Sequence, residues 1–336
     1  MIELTGDQMR VQTNAVQTFE AWREADQTFR HSYRGRMNWS AVRGRKYLYR
    51  IIGESRQSLG PQSEETERIK DEYSAQRTRL RERRDKLAKR LAELAPINRA
   101  YRIGRVPEIA TRVVAALDQA GLLGSHLLIV GTHSLYAYEA AAGVHFASDI
   151  MTTVDIDLMW DARNKLKLAA LDISPEGVMG ILRKVDKTFA KTKRPYQAAN
   201  DDGYFVDLIR PVEPSEALRS LRGIGSEIDL EAAAIMGLQW LINAPRFEQV
   251  AISEQGRPVR LCCTDPRAFA LHKLWLATEA PQREAGKRQR DRLQALAAAS
   301  VASERLGLKM TAKDLSALPR RLSQHAADFA SPRRRR

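Results

Sequence analysis

Residues Leu127–Leu158 read LLIVGTHSLYAYEAAAGVHFASDIMTTVDIDL. The apolar run Leu127 to Val130 stops at Gly131 and gives way to a short helical pattern. Val154-Asp155-Ile156-Asp157-Leu158 then alternates as a strand does. The stretch therefore predicts a strand, a glycine turn into a helix, and a second strand. Residues two apart on a strand share a face. Asp155 and Asp157 thus point one way, with Val154, Ile156 and Leu158 expected in the core. Neighbouring carboxylates repel unless a cation lies between them. Magnesium suits that role, because it takes carboxylate oxygens, keeps waters and accepts phosphate ligands.

An acidic pair on a strand is more often an ordinary wet face. Two features weigh against that reading here. Gly131 leaves room for a phosphate at the turn, and the helix after it offers N–H groups to an anion. Thr132 and Ser134 add hydroxyls at the same place. A third carboxylate, Asp207, stands in Phe205-Val206-Asp207-Leu208-Ile209 with the same alternation. It could serve a second ion and take a proton from an attacking hydroxyl.

These residues resemble the nucleotidyltransferase fold of the DNA polymerase β-like superfamily. That fold has an apolar strand, a glycine turn into a helix, Asp-x-Asp on the next strand and a third Asp later. Gly131-Thr132-His133-Ser134-Leu135-Tyr136-Ala137-Tyr138-Glu139-Ala140 and the acid pair are similar to a bacterial nucleotidyltransferase family with a basic, helical N-terminal extension. Phe269–Leu274 and Lys287–Asp291 resemble that family and nucleotidyltransferase toxins of abortive-infection type. The resemblance spans about residues 30–300. It implies an α+β fold: a small mixed sheet with flanking helices, a helical N-terminal extension and a C-terminal helical bundle. It also implies transfer of a nucleoside monophosphate from an NTP or dNTP to a hydroxyl, with pyrophosphate leaving. Asp155, Asp157 and Asp207 would hold two Mg2+ or Mn2+ ions, and Gly131, Thr132 and Ser134 would cradle the β- and γ-phosphates. Thr132 departs from the usual Gly or Ser, and the gap from Gly131 to Asp155 is long. A toxin or phage-defence role comes from the resemblance alone. The alternatives are AMP transfer to protein and an inactive nucleic-acid-binding module.

Lys273 and Lys287 are candidates for a triphosphate clamp, with Asp291 as an ion-pair partner that orients one of them. His133, His145 and His272 lack metal-ligand spacing and are read as packing or polar-edge residues.

The chain of 336 residues carries 55 Lys+Arg against 41 Asp+Glu, a formal net charge of +14. Such an excess draws a protein to polyanions, so a nucleic-acid or nucleotide acceptor is expected. Residues 1–100 hold 21 Lys+Arg and 14 Asp+Glu, half of the excess in under a third of the chain. Tyr33, Trp39, Tyr47 and Tyr49 alternate there with Arg34, Arg36, Arg43, Arg45, Lys46 and Arg50, a pattern suited to bases and phosphates. Residues 36–52 are expected as a hairpin or aromatic-basic loop, and Ser58–Pro61 as a turn. A charged helix over 64–94 has a heptad seam at Ile69, Tyr73, Gln76, Leu80, Arg83, Leu87, Leu91 and Leu94. Pairing within the chain is the simpler reading, and self-association the other. Adjacent Cys262 and Cys263 cannot bridge without strain and fit a reducing compartment. No signal peptide and no apolar stretch of membrane-spanning length is seen, so the expectation is a cytoplasmic protein without a membrane partner.

Four regions are expected: the extension 1–100, a catalytic core 101–225, a C-terminal region 226–330 and a basic tail 331–336. Pro96 and Pro107 are read as bracketing a linker. Helices are expected over 12–30, 106–121, 175–189, 226–243, 266–279, 285–299 and 312–327. A short strand is expected over 166–171, and hairpins over 196–209 and 248–263.

Overall fold

The computed structural model describes residues 1–164, 176–212, 224–280, 283–311, 313–316 and 318–330. The strand expected over 166–171 and the tail 331–336 lie outside these residues. The chain divides into two compact units, Arg10–Tyr101 and Met1–Met9 with Arg102–Arg336.

The strand β1 (Ile2–Glu3) precedes the long helix α1 (Gly6–Ser32). Three antiparallel strands follow, β2 (Arg36–Val42), β3 (Arg45–Ile52) and β4 (Ser55–Pro61), and then helix α2 (Glu64–Ala100). Arg43 and Gly44 both have positive φ, as a two-residue hairpin between β2 and β3 requires. Ser58–Pro61, expected as a turn, continues strand β4. It lies on the sheet edge, where a proline costs no ladder bond.

Helix α2 starts with a reciprocal Ser63/Thr66 capping box. It runs through Pro96, so the expected linker boundary there is a helix interior. Its inward residues are Tyr73, Arg77, Leu80, Arg84, Leu87, Leu91, Leu94 and Asn98, spaced alternately by four and three. Gln76 and Arg83, expected in the seam, are exposed, and Arg77 and Arg84 take those places. Their guanidinium groups lie 5.3 and 4.8 Å from the Phe29 ring of α1. Arg84 also stands 3.8 Å from the buried Asp26. The seam is therefore an intramolecular α1–α2 pair in which long cationic side chains supply apolar stem and ring contact.

The larger unit is built on one mixed, eight-stranded sheet. Helix α3 (Glu108–Gln119) leads to β5 (Leu127–Val130), whose four residues are all buried. Gly131–His133 form a 3-10 turn into α4 (Ser134–Ala142). Next come β6 (Val144–His145), which pairs with β1, α5 (Ser148–Met151) and β7 (Asp155–Trp160). Helix α6 (Gly177–Val185) is followed by β8 (Ala190–Lys191), β9 (Gln197–Ala199) and β10 (Phe205–Pro211). The chain continues with β11 (Ala233–Ile235), α7 (Leu238–Asn243), the hairpin β12 (Arg246–Ile252) and β13 (Pro258–Thr264), α8 (Pro266–Thr278) and α9 (Ala285–Ser300). The strand order is β12-β13-β5-β7-β10-β9-β8, with β11 beside β10.

Two helical expectations change. Of residues 226–243 only Leu238–Asn243 are helical; Ala233–Ile235 form a strand, and Asp229 serves another helix. It accepts N–H bonds from Met179 at 2.9 Å and Gly225 at 2.8 Å, anchoring the start of α6. Gly177 has positive φ, and a Cβ there would stand 1.9 Å from the Asp229 carboxylate, so only glycine admits it. The described part of 312–327 is helical only from Arg320, beyond Pro319. Val154, expected in the core, is 61% exposed, whereas Ile156 and Leu158 are fully buried. Burying each of the latter is worth roughly 1.5–3 kcal/mol, which fixes the face of β7 that carries the acids.

Candidate active site

The sheet register aligns the acids. Asp157 on β7 lies between Val130 on β5 and Asp207 on β10, and Gln197 on β9 lies beyond Asp207. Asp155 sits two residues back on the same face of β7. Ligand atoms of Asp155, Asp157 and Asp207 all lie within 4.8 Å of one another.

The cluster is held by neutral donors. Gln197 Nε2 donates to Asp207 Oδ1 at 2.9 Å, and the Thr153 hydroxyl bonds to Asp155. Beneath the pair, the buried His133 meets the Tyr204 hydroxyl at 3.1 Å and hydrogen-bonds the Asp155 backbone. Burial lowers His133 to about 4, against the pull of Asp155, so its ring is neutral near pH 7.

The charge on the acids is poorly compensated. Asp157 is pushed up to about 7, first by withdrawal from solvent and then by Asp155 and Asp207. Asp207 is raised too, chiefly by burial, with Gln197 and Arg194 opposing. Three hard oxygen donors whose ionisation is penalised suit a divalent, oxygen-preferring cation. The chemistry of this donor set fits Mg2+ or Mn2+.

Gly131 has φ +68°, and a Cβ there would lie 2.2 Å from Asp157 Oδ2. The missing side chain admits the carboxylate of Asp157, a closer reason for glycine than phosphate approach. Thr132 is buried and accepts from Gln294 Nε2 at 3.1 Å. Ser134 is also buried, and its hydroxyl donates to the Ile129 carbonyl at 3.2 Å. Both expected phosphate hydroxyls are thus engaged inside the protein.

Helix α8 begins at Asp265-Pro266, where the Asp265 side chain accepts the Arg267 N–H at 2.8 Å. That start brings Lys273 inward. Lys273 Nζ lies 2.8 Å from Asp291 Oδ1 on α9, and Arg283 reaches Asp291 Oδ2 at 2.6 Å. Lys273 and Arg283 both act to lower the Asp157 pKa, so they stand within electrostatic reach of the acids. Lys287 is half exposed and pairs with Glu284 at 3.4 Å, apart from this group. Sequence reasoning missed Gln197, Thr153, Tyr204 and Arg283. Gln197 was within reach, since the Asn200–Gly203 turn sets it opposite Asp207. No local pattern marks Arg283.

A family model described as "Nucleotidyltransferase" matches residues 108–319. The chain belongs to that nucleotidyltransferase family. No curated protein and no solved structure matches it. The matched span of this nucleotidyltransferase contains all three acids and the Lys273–Asp291–Arg283 group. Its mixed sheet with helices is consistent with the nucleotidyltransferase fold. Among the described residues no helix is long and apolar enough to cross a membrane.

Proposed function

We propose that the chain transfers a nucleoside monophosphate from an NTP or dNTP to a hydroxyl on a nucleic acid or nucleotide, with pyrophosphate leaving. The observation that carries this reading is the convergence of Asp155, Asp157 and Asp207 within 4.8 Å, beside the glycine turn of a nucleotidyltransferase. Asp155 and Asp157 would hold divalent ions with the triphosphate, and Asp207 would complete the second ion's ligands. Bound there, such ions neutralise phosphate charge and make a nearby hydroxyl easier to deprotonate.

The chain's own groups supply the rest. Asp207, with Oδ1 held by Gln197, presents Oδ2 to take the proton of the acceptor hydroxyl. The backbone of the Gly131–His133 turn receives the triphosphate through N–H groups at the start of α4. Thr132 and Ser134 serve that turn by bonding it to Gln294 and Ile129. Lys273 and Arg283 offset negative charge from the side of α8 and α9. Arg194, exposed on the loop before β9 and acting on Asp207, is a further cation for the acceptor or the leaving group. Catalysis is then mainly positioning and charge neutralisation.

Incubation with each α-labelled ribo- and deoxyribonucleotide, Mg2+ or Mn2+ and total RNA tests the proposal. Metal-dependent label in nucleic acid or oligonucleotide, absent from the Asp155→Asn/Asp157→Asn variant, is the expected result. Label that stays on protein after nuclease treatment would instead identify AMP transfer to protein. No transfer to any acceptor would leave the inactive binding module.

A further inference from the structure

We infer that the open face of the β2–β3–β4 sheet binds single-stranded nucleic acid, with Tyr47 and the Arg56–Tyr49 stack meeting bases and Arg36 and Arg45 meeting phosphates. The sheet's two faces are unlike. One is committed to the helices: Leu48 is fully buried, Lys70 of α2 lies 5.9 Å from the Trp39 ring, and Arg50 lies 5.8 Å from the Tyr73 ring. Tyr73 in turn donates to the Arg34 carbonyl at 3.1 Å. The aromatic and basic residues of this stretch are therefore of two kinds, and Trp39 and Arg50 belong to the packing.

Tyr47 and Tyr49 belong to the other face. They are two residues apart on the central strand, roughly 7 Å along it. The register sets Arg36 across from Ile51, Arg45 across from Val42 and Arg56 across from Ile51, all on the face of the tyrosines. Arg36, Arg45 and Arg56 are exposed, and both tyrosine rings are partly so. The Arg56 guanidinium lies 3.9 Å above the Tyr49 ring. A base entering there meets a ring and a guanidinium plane, both surfaces on which bases stack.

Charge selects the partner. Residues 33–62 hold seven Lys+Arg and one acid, Glu54, which sits in the turn between β3 and β4 and not on this face. A face with neighbouring rings and a cationic border suits a polyanion whose bases are unpaired, since rings cannot reach bases stacked inside a duplex. The inference gives the acceptor class for the transfer proposed above, and rests on that reading only in treating the bound strand as an acceptor.

The test measures binding without nucleotide or metal, so it succeeds or fails apart from the transfer chemistry. The full chain is titrated into a fluorescein-labelled RNA of about 12 nucleotides, within the usual site size, and into the same sequence as a duplex. Salt is varied from ~50 to 200 mM. The single strand should bind more tightly than the duplex. Tyr47→Ala with Tyr49→Ala should weaken it about tenfold or more, and Tyr47→Phe with Tyr49→Phe should restore it. Arg36→Gln with Arg45→Gln, both at exposed positions, should weaken binding and flatten the salt slope by about 0.7 per charge. This arginine pair decides the matter should the alanine pair not fold. Equal or tighter duplex binding, no binding, or unchanged affinity in the arginine pair would overturn the inference. So would unchanged affinity in a folded alanine pair, or equally effective competition by polyglutamate.

Discussion

Two groups of charge stand within electrostatic reach of each other in the nucleotidyltransferase unit, and they are built on opposite terms. Asp291 is fully buried but flanked by Lys273 at 2.8 Å and Arg283 at 2.6 Å. Its charge is answered within the protein. Asp155, Asp157 and Asp207 bring ligand atoms within 4.8 Å of one another, yet their hydrogen bonds come from neutral Gln197 and Thr153. Their mutual repulsion helps to drive Asp157 up to about 7. The first group is complete as folded. The second lacks a cation of its own within hydrogen-bond distance, and that difference makes it the candidate site for a divalent ion.

The contrast predicts different failures. Asp157→Asn should reduce transfer about a thousandfold or more, the loss of several kcal/mol of charge stabilisation. Without metal it should melt no lower than the wild type, because one repelling charge is gone. A lower melting temperature would show the acids to be structural. Asp291→Ala should do the reverse in kind. It strands two cations and should cost roughly 3–5 kcal/mol in urea unfolding, whereas Lys287→Ala, at an exposed pair, should stay within about 0.5 kcal/mol.

Acidity separates the groups further. Asp157 keeps its proton in the folded chain up to about 7, where an unfolded Asp loses it near 3.8. The folded state is thus favoured at low pH, and metal-free protein should lose stability as pH rises from about 4 through about 7. Buried Glu139, also raised to about 7, adds to that slope. Melting curves of wild type and Asp157→Asn isolate the Asp157 part, and Mg2+ should raise the wild-type melting temperature more at pH ~8 than at pH ~5. Equal slopes in the two proteins would remove the account of the triad's charge. The smallest effect belongs to Gln197→Ala. One hydrogen bond worth about 1 kcal/mol should slow transfer about fivefold by leaving Asp207 less well oriented, with kcat falling more than KM rises.

Much of the site could be read from sequence, because a strand's alternation states which residues share a face. Asp155, Asp157 and Asp207 needed only that rule and the hairpin turn at Asn200–Gly203. What Gly131 admits was not legible, since its neighbour Asp157 reaches it through pairing of β5 with β7. The same holds for Asp229. Its acidic surroundings imitate a helix start, but its carboxylate caps α6, some 50 residues earlier in the chain. In α2 the heptad spacing and the seam positions Tyr73, Leu80, Leu87, Leu91 and Leu94 were visible, but not that Arg77 and Arg84 take the places given to Gln76 and Arg83. Arg77 and Arg84 look like surface residues until Phe29 of α1 gives their guanidinium groups a ring to cover.

Manganese binding followed by electron spin resonance at pH ~8, with a non-hydrolysable NTP analogue present, tests the ion site most directly. The wild type should bind Mn2+ saturably, the Asp155→Asn/Asp157→Asn variant should lose that binding, and Lys287→Ala should keep it. Saturable binding that survives loss of both acids, or no saturable binding by the wild type, would contradict the account.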